Sequence, residues 1–493
     1  MAVVPYQGFI GGTYRTGSPR IGVEQCLNMI PVVHGGPAVR PTSPLSYIRT
    51  PGSRLFSEAG NGPIRGMFSQ DGRMAVVSGA EAYSIAASGA ATKLGDVATS
   101  QLPAYIDANG SAGTQFMFTT GGSGYIWNWN TSSFTQITDV DFPANVQSCA
   151  FSDGYFLALG LNTRQVNYSA LFDGTSWGST DLIQKTQSAD NIRNMSVVNK
   201  LIYLLGSQKT EIWQNTGDAL VTFAPLPGVL IEQGIDAFAG ICKAGNTLVW
   251  MGLNEAGKGR AYMDVNFTPV PISHSGVEEV WATYDRTDDA ILFPYLYKGH
   301  LFVVVTFPTA NATWVADMNT NPPIWHEWGY LNPATGMIDA HLARCHTFAF
   351  NKHLVGSRVD GKIYELTGDC YTDDADVNGA NGDPIRRTRR APHIFVPQRS
   401  MEIHRFAMQV DPGVAATSGQ GSDPVLMFKY SVDGGKTYSN ELFLETGALG
   451  EYDTQVEVNR LGSGVDWVLE VSTSEPVDHN WSGASLDATP DAH

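Results

Sequence analysis

The sequence has few of the features that mark secreted or membrane-spanning proteins. Its 493 residues include five cysteines, an odd number without a Cys-X-X-Cys pair, which indicates neither a disulfide framework nor a cysteine zinc site. Met1 to Ile10 lack the basic start and apolar core of a secretory signal. No run approaches the roughly eighteen apolar residues that cross a bilayer. We therefore expect reduced cysteines, synthesis in a cytoplasm and no membrane segment.

Positive charge is also scarce. The 31 Lys and Arg residues against 48 Asp and Glu give a formal net charge of −17. Binding nucleic acid without sequence preference requires clustered basic side chains that neutralise phosphates, so this balance argues against it. Two explanations of the acidic total stay open: simple solubility, and a surface along which DNA slides without adhering.

Turn and strand residues, by contrast, are abundant. The chain contains 52 Gly and 26 Pro, 11% aromatic residues and only 16% charged residues. This composition is typical of an all-β, turn-rich protein. The length predicts two or more domains, or one large repetitive architecture.

One pattern returns seven times between residues 65 and 368. Each copy has a short turn, an apolar strand, a break and a second strand that often carries aromatic residues. The turns are Asp71-Gly72, Gly113, Asp153-Gly154, Asn199-Lys200, Gly245-Asn246, Gly299-His300 and Asn351-Lys352. The spacing, roughly forty to fifty-five residues, is that of a four-stranded blade. The sequence therefore predicts a β-propeller of about seven blades over residues 65–368.

Three further segments flank the repeats. Residues 1–64 are predicted to pack on the propeller or to give its last blade a closing strand. Residues 369–400 form a predicted junction loop, because an acidic Gly/Asn-rich stretch is followed there by an arginine cluster. Residues 401–493 supply several short alternating strands, which predict a small C-terminal β-sandwich.

The arginine cluster is the main concentration of positive charge. It consists of Arg386, Arg387, Arg389 and Arg390. Guanidinium groups bind carboxylates through two parallel hydrogen bonds, and the chain is strongly acidic. We predict a contact with a neighbouring subunit or partner, with DNA phosphates and a solvated strand edge as alternatives.

A second candidate feature is a hairpin turn near the carboxyl end. It is formed by Ser431, Asp433, Gly434, Gly435, Thr437 and Tyr438. The pattern fits an Asp-box, in which the aspartate accepts backbone N–H groups inside the turn and the aromatic residue packs beneath it. We interpret it as a structural device between the strands Val425–Ser431 and Thr437–Phe443.

The sequence offers little for catalysis. His341, Cys345, His346 and His353 have a spacing that could hold a transition metal, although buried structural residues are the favoured interpretation. His326-Glu327, between two tryptophans, is interpreted as a packing site. Nucleophile-elbow, phosphate-loop and His-Glu-X-X-His motifs are all missing. We predict no enzyme, no catalytic residue, no metal and no cofactor.

Both ends of the chain resemble one known family. Its segments are Tyr14, Cys26-Leu27-Asn28 and Thr50-Pro51-Gly52 near the start, then Ser431-Val-Asp433-Gly-Gly, Gly447-Ala-Leu-Gly450-Glu-Tyr, Arg460-Leu-Gly462 and Ser474-Glu-Pro-Val477. In order and spacing they resemble the tail hub proteins of short-tailed bacteriophages, also called nozzle or packaged-DNA-stabilisation proteins. Tyr438 stands where that family usually has tryptophan.

The resemblance implies a structural protein of the virion tail, made in the host cytoplasm. It implies a ring of six copies below the portal and adaptor that extends the DNA channel, seals the packaged genome and takes part in its ejection. Tail fibres or spikes and a needle or plug are the implied partners. Double-stranded DNA would pass through the ring without sequence-specific binding.

Two other functions stay open. One is a propeller glycosidase or lyase acting on host-surface polysaccharide, which requires two carboxylates converging at one mouth of the propeller. The other is a monomeric interaction module, which would form no ring.

Overall fold

The computed structural model describes residues 3–34, 43–110, 113–218 and 221–490. These residues form 44 strands and one helix, α1 (Ser275–Trp281), which confirms the all-β prediction. In the described part of the chain, no helix is long and apolar enough to span a bilayer.

Six strands precede the first repeat. They are β1 (Val4–Pro5), β2 (Tyr14–Arg15), β3 (Val23–Leu27), β4 (Met29–Val33), β5 (Leu45–Arg49) and β6 (Gly52–Glu58).

Five antiparallel four-stranded sheets follow, with the strands of each in chain order. The first contains β7 (Ile64–Gln70), β8 (Arg73–Ser78), β9 (Glu81–Ile85) and β10 (Ala91–Asp96). The second contains β11 (Tyr105–Ala108), β12 (Gln115–Thr120), β13 (Ser123–Asn128) and β14 (Ser133–Gln136). The third contains β15 (Val146–Ser152), β16 (Tyr155–Gly160), β17 (Gln165–Ala170) and β18 (Asp173–Gln184). The fourth contains β19 (Ile192–Val198), β20 (Leu201–Gly206), β21 (Thr210–Asn215) and β22 (Phe223–Ile231). The fifth contains β23 (Ile241–Ala244), β24 (Thr247–Leu253), β25 (Gly259–Val265) and β26 (Thr268–Pro271).

Helix α1 leads into two further sheets. The sixth contains β27 (Ile291–Tyr297), β28 (His300–Phe307), β29 (Ala312–Asp317) and β30 (Ile324–Leu331), with β31 (Ile338–Ala340) paired to β30. The seventh contains β32 (Ala343–Ala349), β33 (Lys352–Ser357) and β34 (Lys362–Thr367), and its outer strand is β6 from the beginning of the chain. An N-terminal strand thus completes the last blade, with Ser57 opposite Ile363 and Ser53 opposite Leu366.

The seven sheets stack into a closed ring. Each predicted turn lies at the connection between the first and second strands of a sheet, and several turn residues have the positive φ that such reversals require, for example Asp71 at 50° and Gly72 at 72°. Side chains alternate along each strand, so one sheet serves two neighbours: Phe116 and Phe118 pack toward the first sheet and Met117 toward the third. Among the described residues, seven apolar clusters fill the seven gaps between neighbouring sheets. The predicted seven-bladed propeller is confirmed.

The carboxyl-terminal strands build a sandwich. They are β35 (Thr372–Asp373), β36 (Asp383–Pro384), β37 (Arg387–Arg390), β38 (Ile394–Phe395), β39 (Met401–Val410), β40 (Val425–Ser431), β41 (Leu442–Glu445), β42 (Val456–Gly464), β43 (Asp466–Thr473) and β44 (Trp481–Pro490). One sheet has the order β4-β5-β44-β39-β42, with β1 beside β44, and the other has the order β3-β37-β43-β40-β41. Phe406 and Phe428 stack between them at a centroid distance of 4.9 Å. The predicted C-terminal sandwich is confirmed.

The sandwich is continuous with the propeller. Strand β3 lies parallel to β30 of the sixth blade, with Leu27 beside Glu327, and pairs on its other side with β37. The N-terminal segment therefore contributes strands to the seventh blade and to both sandwich sheets. The predicted division at residues 64, 368 and 400 stays a prediction, because the sheets cross it.

One hairpin differs from its predicted form. The strand expected at Thr437–Phe443 starts at Leu442 instead. The Ser439 N–H donates to the Tyr430 carbonyl at 2.8 Å, and the Ser439 hydroxyl accepts the Tyr430 N–H at 3.1 Å. These local bonds replace regular pairing and lengthen the turn.

Candidate functional site

The four arginines of the junction divide between two sides of β37. Because side chains alternate along a strand, Arg387 and Arg389 face one side, whereas Arg386 and Arg390 face the other. Arg387 and Arg389 are 5% and 0% exposed, whereas the side chains of Arg386 and Arg390 are 25% and 26% exposed. Only the second pair has surface to offer a partner.

Arg389 binds the N-terminal segment from within the protein. Its Nε donates to the Phe9 carbonyl at 2.7 Å, and its Nη atoms donate to the Gly12 and Gly8 carbonyls at 2.9 and 2.8 Å. The same group forms an ion pair with Glu24 at 3.0 Å. One buried side chain thus fixes residues 8–12 against the junction strand.

Arg387 holds the loop that precedes β44. Its guanidinium donates to the carbonyls of Val477, at 3.0 Å, and Glu475. Burial, together with the nearby positive charge of Arg49, lowers the pKa of Arg387 to about 10, so it stays protonated at neutral pH. Arg49 is itself buried and pairs with Asp478 at 3.0 Å. Sequence reasoning missed Arg49 because it stands outside the arginine cluster.

Arg386 and Arg390 lie beside a cleft between the propeller and the sandwich. The cleft has a volume of about 570 Å³, and its charged lining residues are Arg15, Glu327, Asp339, Arg386 and Glu470. Arg390 pairs with Glu470 at 2.8 Å and lies 5.6 Å from the ring centre of Tyr438. Arg386 reaches Glu441 at 3.4 Å. The predicted partner contact stays a prediction for Arg386 and Arg390.

The hairpin turn has the hydrogen bonds of an Asp-box. Asp433 Oδ1 accepts the Ser431 hydroxyl at 2.7 Å and the Thr437 N–H at 3.0 Å, and Oδ2 accepts the Thr437 hydroxyl at 2.7 Å. These donors, the Thr437 N–H first, hold the pKa of Asp433 well below its usual range. Gly434 and Gly435 supply φ values of 75° and 86°. The geometry supports a structural role for the turn.

Side chains cross the centre of the propeller. Tyr105 starts the first strand of the second blade, yet its hydroxyl accepts the Asn194 amide of the fourth blade at 2.8 Å. The same hydroxyl donates to the carbonyl of Phe238, between the fourth and fifth blades, at 3.2 Å, and the two rings lie 5.3 Å apart. Because these residues belong to non-adjacent blades, their contacts narrow the centre of the propeller. No local pattern in the sequence indicates this contact, because its residues come from different blades.

A cup opens at one mouth of this axis. It has a volume of about 950 Å³ and is lined by loops of the first to fourth blades and by Phe238. Among the described residues, Asp190 is its one lining carboxylate, and it pairs with Lys185 at 2.7 Å. The converging carboxylate pair that a glycosidase requires is therefore not present in the described lining of this cup.

The histidine candidates are packed residues. His346 Nε2 lies 3.0 Å from His353 Nδ1, and burial lowers the pKa of His346 to about 3. His341 packs against Trp328, and burial lowers its pKa to about 4. Within residues that the structure describes, no three His, Cys, Asp or Glu side chains converge as metal ligands.

His326 and Glu327 do not act as a pair. His326 is fully buried, which lowers its pKa to about 3, whereas Glu327 forms an ion pair with Arg15 at 3.0 Å. Neighbouring residues of a strand face opposite sides of the sheet, so the two side chains cannot share a substrate.

The geometry defines a class: a closed seven-bladed β-propeller joined through shared strands to a β-sandwich. Comparison with protein families gives two matches, to "Bacteriophage P22 Gp10, beta-propeller" over residues 27–371 and to "Bacteriophage P22 Gp10, beta-sandwich" over residues 386–489. The chain belongs to the bacteriophage P22 Gp10 family, which confirms the resemblance found in the sequence. Membership supports a structural role in a phage tail rather than an enzymatic one.

Solved structures add only a general likeness. Virginiamycin B lyase from Staphylococcus aureus is 11% identical with a TM-score of 0.42, covering 62% of this chain and 94% of its own. U3-55K is 10% identical with a TM-score of 0.42, covering 64% of this chain and 99% of its own. Identities and TM-scores this low say nothing about function. A search of curated proteins found no match.

Proposed function

We propose that this protein is the hub, or nozzle, of a short phage tail. Six copies form a ring below the portal and adaptor, extend and seal the DNA channel, retain the packaged genome and take part in its ejection into the host. The ring also offers surfaces for tail fibres or spikes and for a needle or plug. The protein is synthesised in the host cytoplasm and resides in the virion tail.

The contact at the centre of the propeller is the observation that carries the proposal. Tyr105 and Asn194 reach each other from non-adjacent blades and both contact Phe238 there, and from this we infer that a DNA duplex does not pass through a single subunit. A channel for DNA therefore requires a lumen between several copies. The net charge of −17 suits that lumen, because it disfavours adhesion to phosphates.

The sheet shared by the two domains supports a ring of rigid subunits. Strands β30, β3, β37 and β43 are neighbours in one sheet that runs from the sixth blade into the sandwich, with Leu27 and Glu327 as the paired position between β3 and β30. Domains joined only by a flexible linker and a small interface move relative to each other by default, whereas here shared strands join the two domains. The two domains can therefore present fixed surfaces to neighbouring copies.

A head-to-tail ring requires two different complementary patches on each subunit. The cleft beside Arg386 and Arg390 is our candidate for one patch, with carboxylates of the neighbouring copy as its partner. Both side chains keep about a quarter of their surface exposed beside their intramolecular ion pairs. We propose no role for Arg387 and Arg389 in this contact, because both are buried.

The test is the mass of the purified chain in solution, measured by light scattering with and without a portal–adaptor assembly. We expect a stoichiometric ring on that assembly. A chain that stays monomeric and ignores the assembly would contradict the proposal and favour the monomeric module.

A double variant tests the interface. Arg386→Ala with Arg390→Ala should weaken ring formation at moderate salt while leaving the fold intact. Arg73→Ala with Arg164→Ala, on the propeller, is the matched control with the same loss of charge. Equal assembly of the two variants would remove the arginines from the interface.

A further inference from the structure

The cup at the propeller mouth has a lining that the proposed function does not use. Four side-chain amides, Asn145, Gln147, Asn162 and Asn191, converge on its volume of about 950 Å³. Asn145 and Asn191 lie in the connections before and after the third blade, whereas Gln147 lies in β15 and Asn162 in the β16–β17 hairpin. The fold of the third blade therefore brings together residues that are up to 46 positions apart in the chain.

None of these four amides forms a side-chain hydrogen bond with the described residues of the chain. Turn geometry explains part of the set: Asn145 and Asn162 both have φ near 54°, where asparagine is favoured. It does not explain Gln147 or Asn191, which have ordinary backbone conformations. The amides together present donors and acceptors to the space of the cup.

The rest of the lining combines exposed apolar side chains with two charged groups. Leu102 and Leu161 are 63% and 50% exposed, and Phe238 adds an aromatic surface. The two charged groups are already paired within the chain. Arg193 donates to the Asp236 carbonyl at 2.7 Å, and the Asp190 carboxylate accepts a hydrogen bond from the Lys185 ammonium group. The cup therefore combines free neutral hydrogen-bonding groups with apolar patches and little uncompensated charge.

We propose that this cup binds an oligosaccharide. A sugar presents rows of hydroxyl groups that are both donors and acceptors, matching side-chain amides, and its C–H faces match leucine and phenylalanine surfaces. The volume lies in the range of ligand pockets, about 300–1,000 Å³. A strongly anionic ligand would find only Arg193, whose charge is offset by Asp236.

The site binds without cleaving. The cup's Asp190 accepts the Lys185 ammonium group and the Gln208 N–H, at 2.7 and 2.8 Å, and these bonds hold its pKa below the usual range. It therefore stays ionised and cannot serve as the general acid of a glycosidase. The inference goes beyond the proposed ring and does not depend on it.

The experiment uses the full chain, fluorescently labelled, on an array of purified bacterial surface oligosaccharides and polysaccharides. Titration calorimetry then measures the strongest binder. The test variant combines Asn145→Gly, Asn162→Gly and Asn191→Ala, with glycine chosen where φ is positive. The matched control is Asn266→Gly, an exposed asparagine with φ 52° in the outer hairpin of the fifth blade.

We expect saturable binding at one site, at least about tenfold weaker in the triple variant and unchanged in the control. Absence of binding across the array would overturn the proposal. So would binding that the triple variant retains, or binding only to acidic polymers that disappears at high ionic strength. Light scattering of the same variants should show unchanged assembly. The hypothesis of a ring and the hypothesis of a sugar site can therefore be refuted independently of each other.

Discussion

Replacing Arg389 by alanine tests whether one buried side chain unites the N-terminal segment with the sandwich. The guanidinium donates to four backbone carbonyls, of which the Gln25 contact is the longest at 3.4 Å, and it pairs with Glu24; none of its surface is exposed. Hydrogen bonds to a charged group contribute roughly 1.5–3 kcal/mol each. Water that enters the vacated space replaces some of these hydrogen bonds. We therefore expect the free energy of unfolding to fall by about 3–5 kcal/mol, as it does when other buried ion pairs are broken.

The assay is chemical denaturation, read as the shift of the midpoint, together with limited proteolysis of residues 8–12. Arg389→Ala should expose this segment to cleavage before the propeller unfolds. Arg389→Lys should restore little, because a compact ammonium group cannot span carbonyls of Gly8, Phe9 and Gly12. Arg386→Ala is the control, with a cost of about 1 kcal/mol or less. Equal shifts for Arg389→Ala and Arg386→Ala would refute the reasoning.

Burial raises the pKa of Asp373 to about 7, so the unfolded chain releases its proton first and stability falls as pH rises from about 4 to 7. In Asp373→Asn, the denaturation midpoint should fall less steeply as pH rises. An unchanged slope of midpoint against pH would contradict this assignment of the pH dependence to Asp373. Gly66→Ala should lower the free energy of unfolding by about 1–3 kcal/mol, because the added Cβ would lie 2.2 Å from the Ala104 carbonyl oxygen. Gly160→Ala, whose Cβ would make only ordinary contacts, should lower it less. Asp433→Ala should speed amide exchange in its turn without changing the assembled mass; unaltered exchange would remove its structural role.

The fold prediction succeeded where local chemistry decides structure. Seven turns such as Asp71-Gly72 mark chain reversals through residues that tolerate positive φ, and the strands beside them carry apolar side chains on both faces. Sheets with two apolar faces must be covered on both sides, and radial stacking does this. Local pattern and global architecture therefore agree.

The site was harder to predict, because burial is not a local property. The arginine cluster is conspicuous in the sequence, yet strand alternation buries Arg387 and Arg389 and leaves only Arg386 and Arg390 partly exposed. Arg49 is buried to the same degree, at 5% exposure, and pairs with Asp478, but it has no sequence signal. The hairpin strand beginning at Leu442 was misplaced because side-chain bonds of Ser439 extend the turn.

The sequence by itself determined the all-β class, the seven repeated turns and the family, because turn residues, strand periodicity and ordered motifs are local features of the chain. Tertiary structure alone decided which strand of the N-terminal segment closes the last blade, how β3 joins the propeller to the sandwich, and which side chains meet at the centre of the propeller. These features depend on contacts between residues that are distant in the chain. Such contacts follow from the geometry of ring closure, which no local pattern encodes.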